Sequence, residues 1–427
     1  MSTRLTQCFL VASVLLLPLM RTRADDWPQW RGPNRDGHSK ETGLLKEWPK
    51  DGPRLIWQMK DLGSGYSTPS VAGGRIYLMT NKGVVDEFVT ARDAADGSPL
   101  WSTRIGKVGN PDQQPNYPAA RSTPTVDGAL LYALGSDGDL ACLEIATGKV
   151  RWQKSLRADF GGQPGEWAYS ESPLVDGDVV VCTPGGEQAT VVALNKNTGE
   201  VVWRCAVPGG ARAGYASMVV GDAGGMRQYV AYTGDGLFGV HAKSGNFLWR
   251  YDKTTGPVGM SAMTPIVSEG LVYSGNDRLG GAAVRLAVDG GAAKAEEVYR
   301  GMKLPRMMGG AVLVGEYLYG SGGQTLVCAE FKTGQVKWTE RSVGPGAVSY
   351  ADGRLYLHGE SGEMALVEAT LEAYREHGRF TPPNAPEQRG NRGEKAWAHP
   401  VITDGRLYIR DTDCLWCYDI KDAGAGK

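Results

Sequence analysis

A Gly-x-x-x-Trp spacing recurs five times along the chain, at Gly97/Trp101, Gly148/Trp152, Gly199/Trp203, Gly245/Trp249 and Gly334/Trp338. A turn glycine followed at fixed distance by a large aromatic, repeated every ~40 to 50 residues, describes one small unit used many times. A second signature opens the units: Pro-x-Val/Leu/Ile, a Gly-containing turn, then a β-rich step that ends in Tyr. It reads Pro69 to Tyr77, Pro124 to Tyr132, Pro265 to Tyr273 and Pro400 to Tyr408, and Pro173 leads to Val181 at the same offset.

One unit shows the plan. An inner strand begins at Pro124, where a missing N–H costs nothing at a strand start. Asp127-Gly128 supplies a tight turn, Leu130 to Leu134 a second strand, Leu140 to Ile145 a third, and Thr147-Gly148 turns the chain into a fourth that carries Trp152. Four short strands per repeat is the pattern of a propeller blade. Inner strands begin at Pro69, Pro124, Pro173, Met218, Pro265, Ala311, Val348 and Pro400, and the last unit has no fourth strand of its own. Leu55-Ile56-Trp57 stands ahead of the first unit and looks like that missing strand. The expected fold is therefore all-β: an eight-bladed β-propeller of four-stranded antiparallel blades over residues 54–420, its ring closed by an N-terminal strand. A seven-bladed ring with one unit outside it is the alternative.

Two units break the pattern at their outer strand. In the fifth, Gly290 to Glu297 replaces the Thr-Gly turn and Tyr299 stands where Trp is expected; in the seventh, Leu371 to Phe380 has no Trp.

Outside the repeats, Arg4, the apolar run Phe9 to Met20 and Thr22-Arg23-Ala24 read as an export signal over 1–24. The run is shorter than the roughly 20 residues that span a bilayer. A mature, monomeric chain in a periplasmic or extracellular space follows as the expectation, with an N-terminal extension over 25–53, a C-terminal tail over 421–427 and no membrane span after cleavage. Lys+Arg at 46 against Asp+Glu at 47 provides no basic field for nucleic acid. Cys142, Cys328 and Cys417 hold equivalent places in different repeats, too far apart to bridge, so buried free thiols are expected.

The pairing of Thr-Gly-x-x-x-Trp with Pro-x-Val-x-x-Gly-x-Val/Ile-Tyr resembles the pyrroloquinoline-quinone (PQQ) repeat, from Arg54 to Ile420. The resemblance implies that the repeated Trp docks between neighbouring blades, which assigns that role to Trp57, Trp101, Trp152, Trp203, Trp249 and Trp338. It also implies two very different activities: quinoprotein dehydrogenases, which hold PQQ and Ca²⁺ at the propeller axis, and the envelope scaffold of the BamB type, which binds no cofactor. Fold alone does not choose between them.

The residues just ahead of each inner strand face the channel, and among them Tyr66, Arg121, Glu171, Tyr215, Trp397 and His399 are the candidate ligand-binding side chains. That ring offers one carboxylate, whereas Ca²⁺ takes six to eight oxygens. Glu171 with Arg121 reads as a polar lining or ion pair of the channel mouth. Many quinoprotein alcohol dehydrogenases clamp the quinone with adjacent cysteines, which this chain lacks. Cys414-Leu-Trp-Cys417 has Tyr418 where a haem-attachment motif requires His. No catalytic residue and no metal site is therefore assigned. The expected function is an exported, non-catalytic propeller that works as a binding or scaffold module with an envelope protein partner. A PQQ- and Ca²⁺-dependent alcohol or sugar dehydrogenase is the alternative, and a carbohydrate- or peptide-binding propeller the second.

Overall fold

A computed structural model of the protein describes residues 26–112, 119–223, 225–256, 260–289, 292–386 and 395–424. The export signal lies outside the described residues. Among those described, no helix is long and apolar enough to cross a membrane.

Eight four-stranded antiparallel sheets form the ring. The second blade runs Thr125–Asp127, Leu130–Leu134, Asp139–Glu144 and Val150–Ser155. Its two middle strands are mostly buried, while its outer strand keeps only Trp152 fully buried, because just one face of that strand meets the next blade. In the eighth blade, Val401–Thr403, Arg406–Asp411 and Cys414–Asp419 are completed by Arg54–Met59, with Trp57 opposite Cys417. First and last segments thus share one sheet and the ring has no open seam. All six cysteines from Cys142 onward are buried and unpaired.

The glycine of each Thr-Gly turn is required twice over. Gly148 has φ 72°, and a Cβ there would lie 2.5 Å from the Trp101 ring of the preceding blade. Trp152 lies on Gly199 and Trp203 on Gly245 in the same way, and a Cβ on Gly97 would touch Trp57. The indole N–H then reaches a carbonyl of the next blade: Trp101 to Ile145 at 3.0 Å, Trp152 to Lys196 at 2.9 Å and Trp338 to Thr370 at 2.9 Å. Tyr299 takes the same place in the fifth blade, against Gly334, its hydroxyl 2.5 Å from the Phe331 carbonyl.

Trp249 departs from the series. The following blade replaces the Thr-Gly turn with a long hairpin, Gly280–Asp289 and Ala292–Gly301, so no carbonyl is presented at the usual place. The Trp249 indole donates instead to Gln228 Oε1 of its own blade at 2.6 Å, while its ring packs on Val284 and Leu286 of the fifth.

The seventh blade solves its missing Trp from elsewhere in the chain. Strand register places Gly378 where other blades carry the aromatic. A Cβ on Gly378 would stand 2.5 Å from Trp48, whose ring packs at 5.9 Å from Tyr356 and 5.2 Å from Phe380. In the second and sixth blades the corresponding Tyr–Trp distances are 6.1 and 6.0 Å. The N-terminal extension therefore donates the seventh blade's dock.

The rest of the extension is equally built in. Trp27 exchanges both backbone hydrogen bonds with Val71, Pro28 accepts from Val126, and Ser39 donates to Tyr350. Residues 26–39 thus enter the channel from the face where inner strands turn outward, cross it, and leave by the same face. Leu44 then pairs with Lys421.

Candidate functional site

At three of the eight blade junctions the residue before an inner strand ties its blade to the next. Thr123 N–H donates to Ser172 Oγ and Ser172 N–H to Ser217 Oγ, both at 2.9 Å, and His399 N–H donates to Thr68 Oγ1 at 3.0 Å, which carries the pattern across the closure. Thr264 Oγ1 instead receives the Trp30 indole N–H at 2.9 Å. Gly310 and Ala347 have no hydroxyl to offer. A Cβ on Gly310 would lie 2.5 Å from Arg31 Nη1, so the break in the Ser/Thr pattern is the opening through which the extension's guanidinium enters.

Above this ring lies a cavity of about 310 Å³. Trp30 is part of its floor, and Tyr66, Arg121, Tyr215, Trp397 and His399 all line it. Five of the six side chains expected from sequence are thereby brought together from four blades. The aromatic rings meet in pairs: Tyr66 and Trp397 at 4.8 Å, Trp167 and Tyr215 at 5.7 Å, Trp30 and His399 at 4.7 Å. Arg121 stands 6.0 Å over the Tyr66 ring and donates to the Trp167 carbonyl at 2.8 Å. Trp397 donates to Glu360 Oε1 at 3.0 Å, and Lys395 pairs with the same carboxylate at 2.6 Å.

Glu171 is not part of this lining. Its carboxylate accepts from both the backbone N–H and the hydroxyl of Thr183, and the charge facing it is Arg35. Arg121 faces Glu87, whose carboxylate accepts from Ser136 N–H and Oγ–H. The ion pair expected between Glu171 and Arg121 is thus replaced by two separate arrangements, because each carboxylate finds hydrogen-bond donors within reach of its own strand. Burial drives both carboxyls up to about 7, against the pull of their donors and of the nearby arginines. Burial, reinforced by Arg31, holds His399 neutral well below the ordinary histidine range.

Sequence reasoning missed the extension's part in the site. Arg31 and Arg35 are buried at 2% and 3% exposure and are held by carbonyls: Arg31 by Ala311 and Asp36, Arg35 by Ser172 and Pro173. The available signal was two tryptophans and two arginines packed into a stretch with no strand pattern. Trp167, also missed, sits in the long segment after Trp152, beyond the short helix Leu156–Phe160 that Ser155 caps; Asp277, Glu360 and Lys395 lie outside the positions just ahead of an inner strand or carry no repeat signal.

The family model for outer membrane protein assembly factor BamB matches residues 39–188, 85–315 and 166–375, which together span most of the ring. The chain belongs to this family.

BamB of Yersinia pestis is 25% identical over 311 residues, 68% of this chain and 71% of that protein. BamB of Nitrosomonas eutropha is 25% identical over 219 residues, 51% of this chain, and the match spans less than half, 46%, of that relative's length. Among solved structures, BamB from Moraxella catarrhalis superposes with a TM-score of 0.59 at 15% identity, covering 86% of this chain and 97% of the other. The quinohemoprotein alcohol dehydrogenase of Comamonas testosteroni gives 0.63 at 14% identity, covering 94% and 81%. At such identities both likenesses show the fold alone.

Carboxylates are few among the residues that line the cavity at the axis of this BamB-family propeller. Calcium needs converging oxygens, and among the described residues no group of three or more His, Cys, Asp or Glu side chains could hold a metal ion. The two carboxylates that line the cavity, Asp277 and Glu360, come from the fifth and seventh blades, and each already serves a neighbour: Asp277 accepts from Met260 N–H, Glu360 from Trp397 and Lys395.

Proposed function

We propose that the protein is an exported, non-catalytic propeller that works as a binding scaffold in the cell envelope, meeting a protein partner on the face that carries the cavity. Membership of the BamB family supports an assembly role. The observation that carries the reading is the state of the acids. Asp277 and Glu360, the carboxylates that line the cavity, are each committed to donors of the protein itself, and neither Glu87 nor Glu171 is part of the lining. Within the described residues, the contact surface is assigned to the segments that precede the inner strands of the second, third and eighth blades.

Affinity capture from envelope extract with the mature chain, cross-linked before lysis, tests this. Specific recovery of a membrane-assembly protein is the expected result; a chain recovered alone after cross-linking counts against it. The dehydrogenase reading is tested separately by adding PQQ and Ca²⁺ to the purified chain. No alcohol- or sugar-dependent dye reduction is expected, and turnover that requires both additives would overturn the scaffold reading.

A further inference from the structure

The central cavity does not stop at the channel mouth. Trp167 and Tyr215 wall both it and a second depression of about 450 Å³, which runs outward past Gly234 and Gly256. The two hollows adjoin at Trp167 and Tyr215, with an aromatic pair on either side of the axis: Tyr66 with Trp397, and Trp167 with Tyr215.

Charge at the axis is matched locally. Lys395 is paired with Glu360, Arg121 faces the buried Glu87, and Asp235 in the outer hollow accepts from Arg212 N–H at 2.9 Å. An ionic ligand would have to displace one of these arrangements and bury its own charge, at a cost that pairing rarely recovers in full. Two buried polar atoms of lining residues have no partner among the described residues: Trp167 Nε1, a donor, and Nδ1 of the neutral His399, whose ring is otherwise faced by the Val348 carbonyl.

We infer that this groove binds a neutral oligosaccharide. A sugar ring presents a flat C–H face to an indole or phenol, and each hydroxyl both donates and accepts, which suits a lining built from the pairs Tyr66 with Trp397 and Trp167 with Tyr215. Two connected hollows suit a linear chain of more than one unit. An extended peptide would draw its main-chain bonds from a free sheet edge, and the inner edges of the first and seventh blades are already taken by Trp27 and His38. This site does not depend on the scaffold reading, since it is a property of the purified chain.

The test is tryptophan fluorescence and calorimetry of the mature chain with cellohexaose, laminarihexaose, mannohexaose and chitohexaose. Saturable binding to at least one is expected, weakened at least ~10-fold by Trp397→Ala and by Trp167→Ala, as for a buried aromatic anchor. Trp167→Phe keeps the ring face and the packing but lacks the N–H, so it binds with intermediate affinity and remains informative if the alanine variants unfold. Three outcomes overturn the inference. One is no saturable response to any of the four sugars. Another is binding that Trp167→Phe and Trp397→Ala both leave unchanged. The last is Trp397-dependent binding of a capped, uncharged alanine–phenylalanine peptide by a chain that ignores all four sugars, which would assign the groove to peptide.

Discussion

Trp48→Ala removes a side chain that belongs to the extension by sequence and to the seventh blade by packing. Trp48 is 4% exposed, and its cluster joins Leu44, Tyr356, Phe380, Ile402 and Trp416, so it touches the seventh and eighth blades at once. Its indole N–H has no partner, so no hydrogen bond is lost with it. The cost is transfer plus cavity, about 3 to 5 kcal/mol for a buried Trp truncated to Ala. With an unfolding entropy of roughly 2.1 cal/mol/K per residue over about 400 residues, that lowers the melting temperature by ~4 to 6 °C. The assay is a thermal melt followed by circular dichroism, with pulse proteolysis to report whether residues 40–53 release first. Moving the tryptophan back into the strand should not rescue the loss. Gly378 has φ 143°, where an L side chain is strained, so Trp48→Ala with Gly378→Trp melts no higher than Trp48→Ala alone. A Trp48→Ala chain that melts like the unaltered protein, or full rescue by Gly378→Trp, would refute the assignment of Trp48 as the seventh dock.

Three further outcomes are expected. Trp203→Ala costs about 2 to 3 kcal/mol, less than Trp48→Ala because the Trp203 ring is only partly buried, and Gly245→Ala also destabilises, since a Cβ there meets Trp203 at 2.6 Å from a backbone at φ 72°; melts of the two variants that match the parent would deny the dock. Gly310→Ala crowds Arg31 Nη1 at 2.5 Å and should make the extension more accessible to protease without opening the blades, whereas unchanged cleavage kinetics would show that Arg31 does not need the gap. Because burial raises Glu87 and Glu171 to about 7 in the folded protein, the folded state holds protons that the unfolded state has released above pH ~4.5. Stability from these groups is full below that pH and is lost as pH rises through 7, by up to about 1.4 kcal/mol per pH unit for each group. His399 acts in the opposite sense below pH ~6.5, so the measurement is a comparison: melting temperature from pH 5 to 8 for the parent and for Glu87→Gln with Glu171→Gln. The parent should lose more stability over that rise than the double variant, and identical pH profiles would contradict the assigned shifts.

The ring was legible in the chain because each blade repeats the same local chemistry. Asp127-Gly128, Thr147-Gly148 and the Leu/Val/Tyr runs between them determine turns and strands without reference to anything distant, and repetition turns weak local signals into a firm count of eight. Closure by Leu55-Ile56-Trp57 was legible for the same reason, as a fourth strand missing at one end and present at the other. The cavity was partly legible. Residues just ahead of an inner strand must face the axis of any propeller, which is how Tyr66, Arg121, Tyr215, Trp397 and His399 could be named from spacing alone.

Pairing across the channel had no local signature. Whether Glu171 meets Arg121 or Arg35 depends on the path of residues 26–39, which carry no repeat and acquire their position from carbonyls of several different blades. Gly378 and Trp48 make the same point at the outer rim. The sequence by itself determined the number of blades, their strand order and the turns where glycine is obligatory, since those follow from contacts within about 50 residues. Only the tertiary structure decided how the extension fills the axis, which acids are spent on neighbours and which tryptophan completes the seventh blade. Those contacts join segments that are far apart in the chain, and they are selected by shape and by unpaired polar groups rather than by any periodicity.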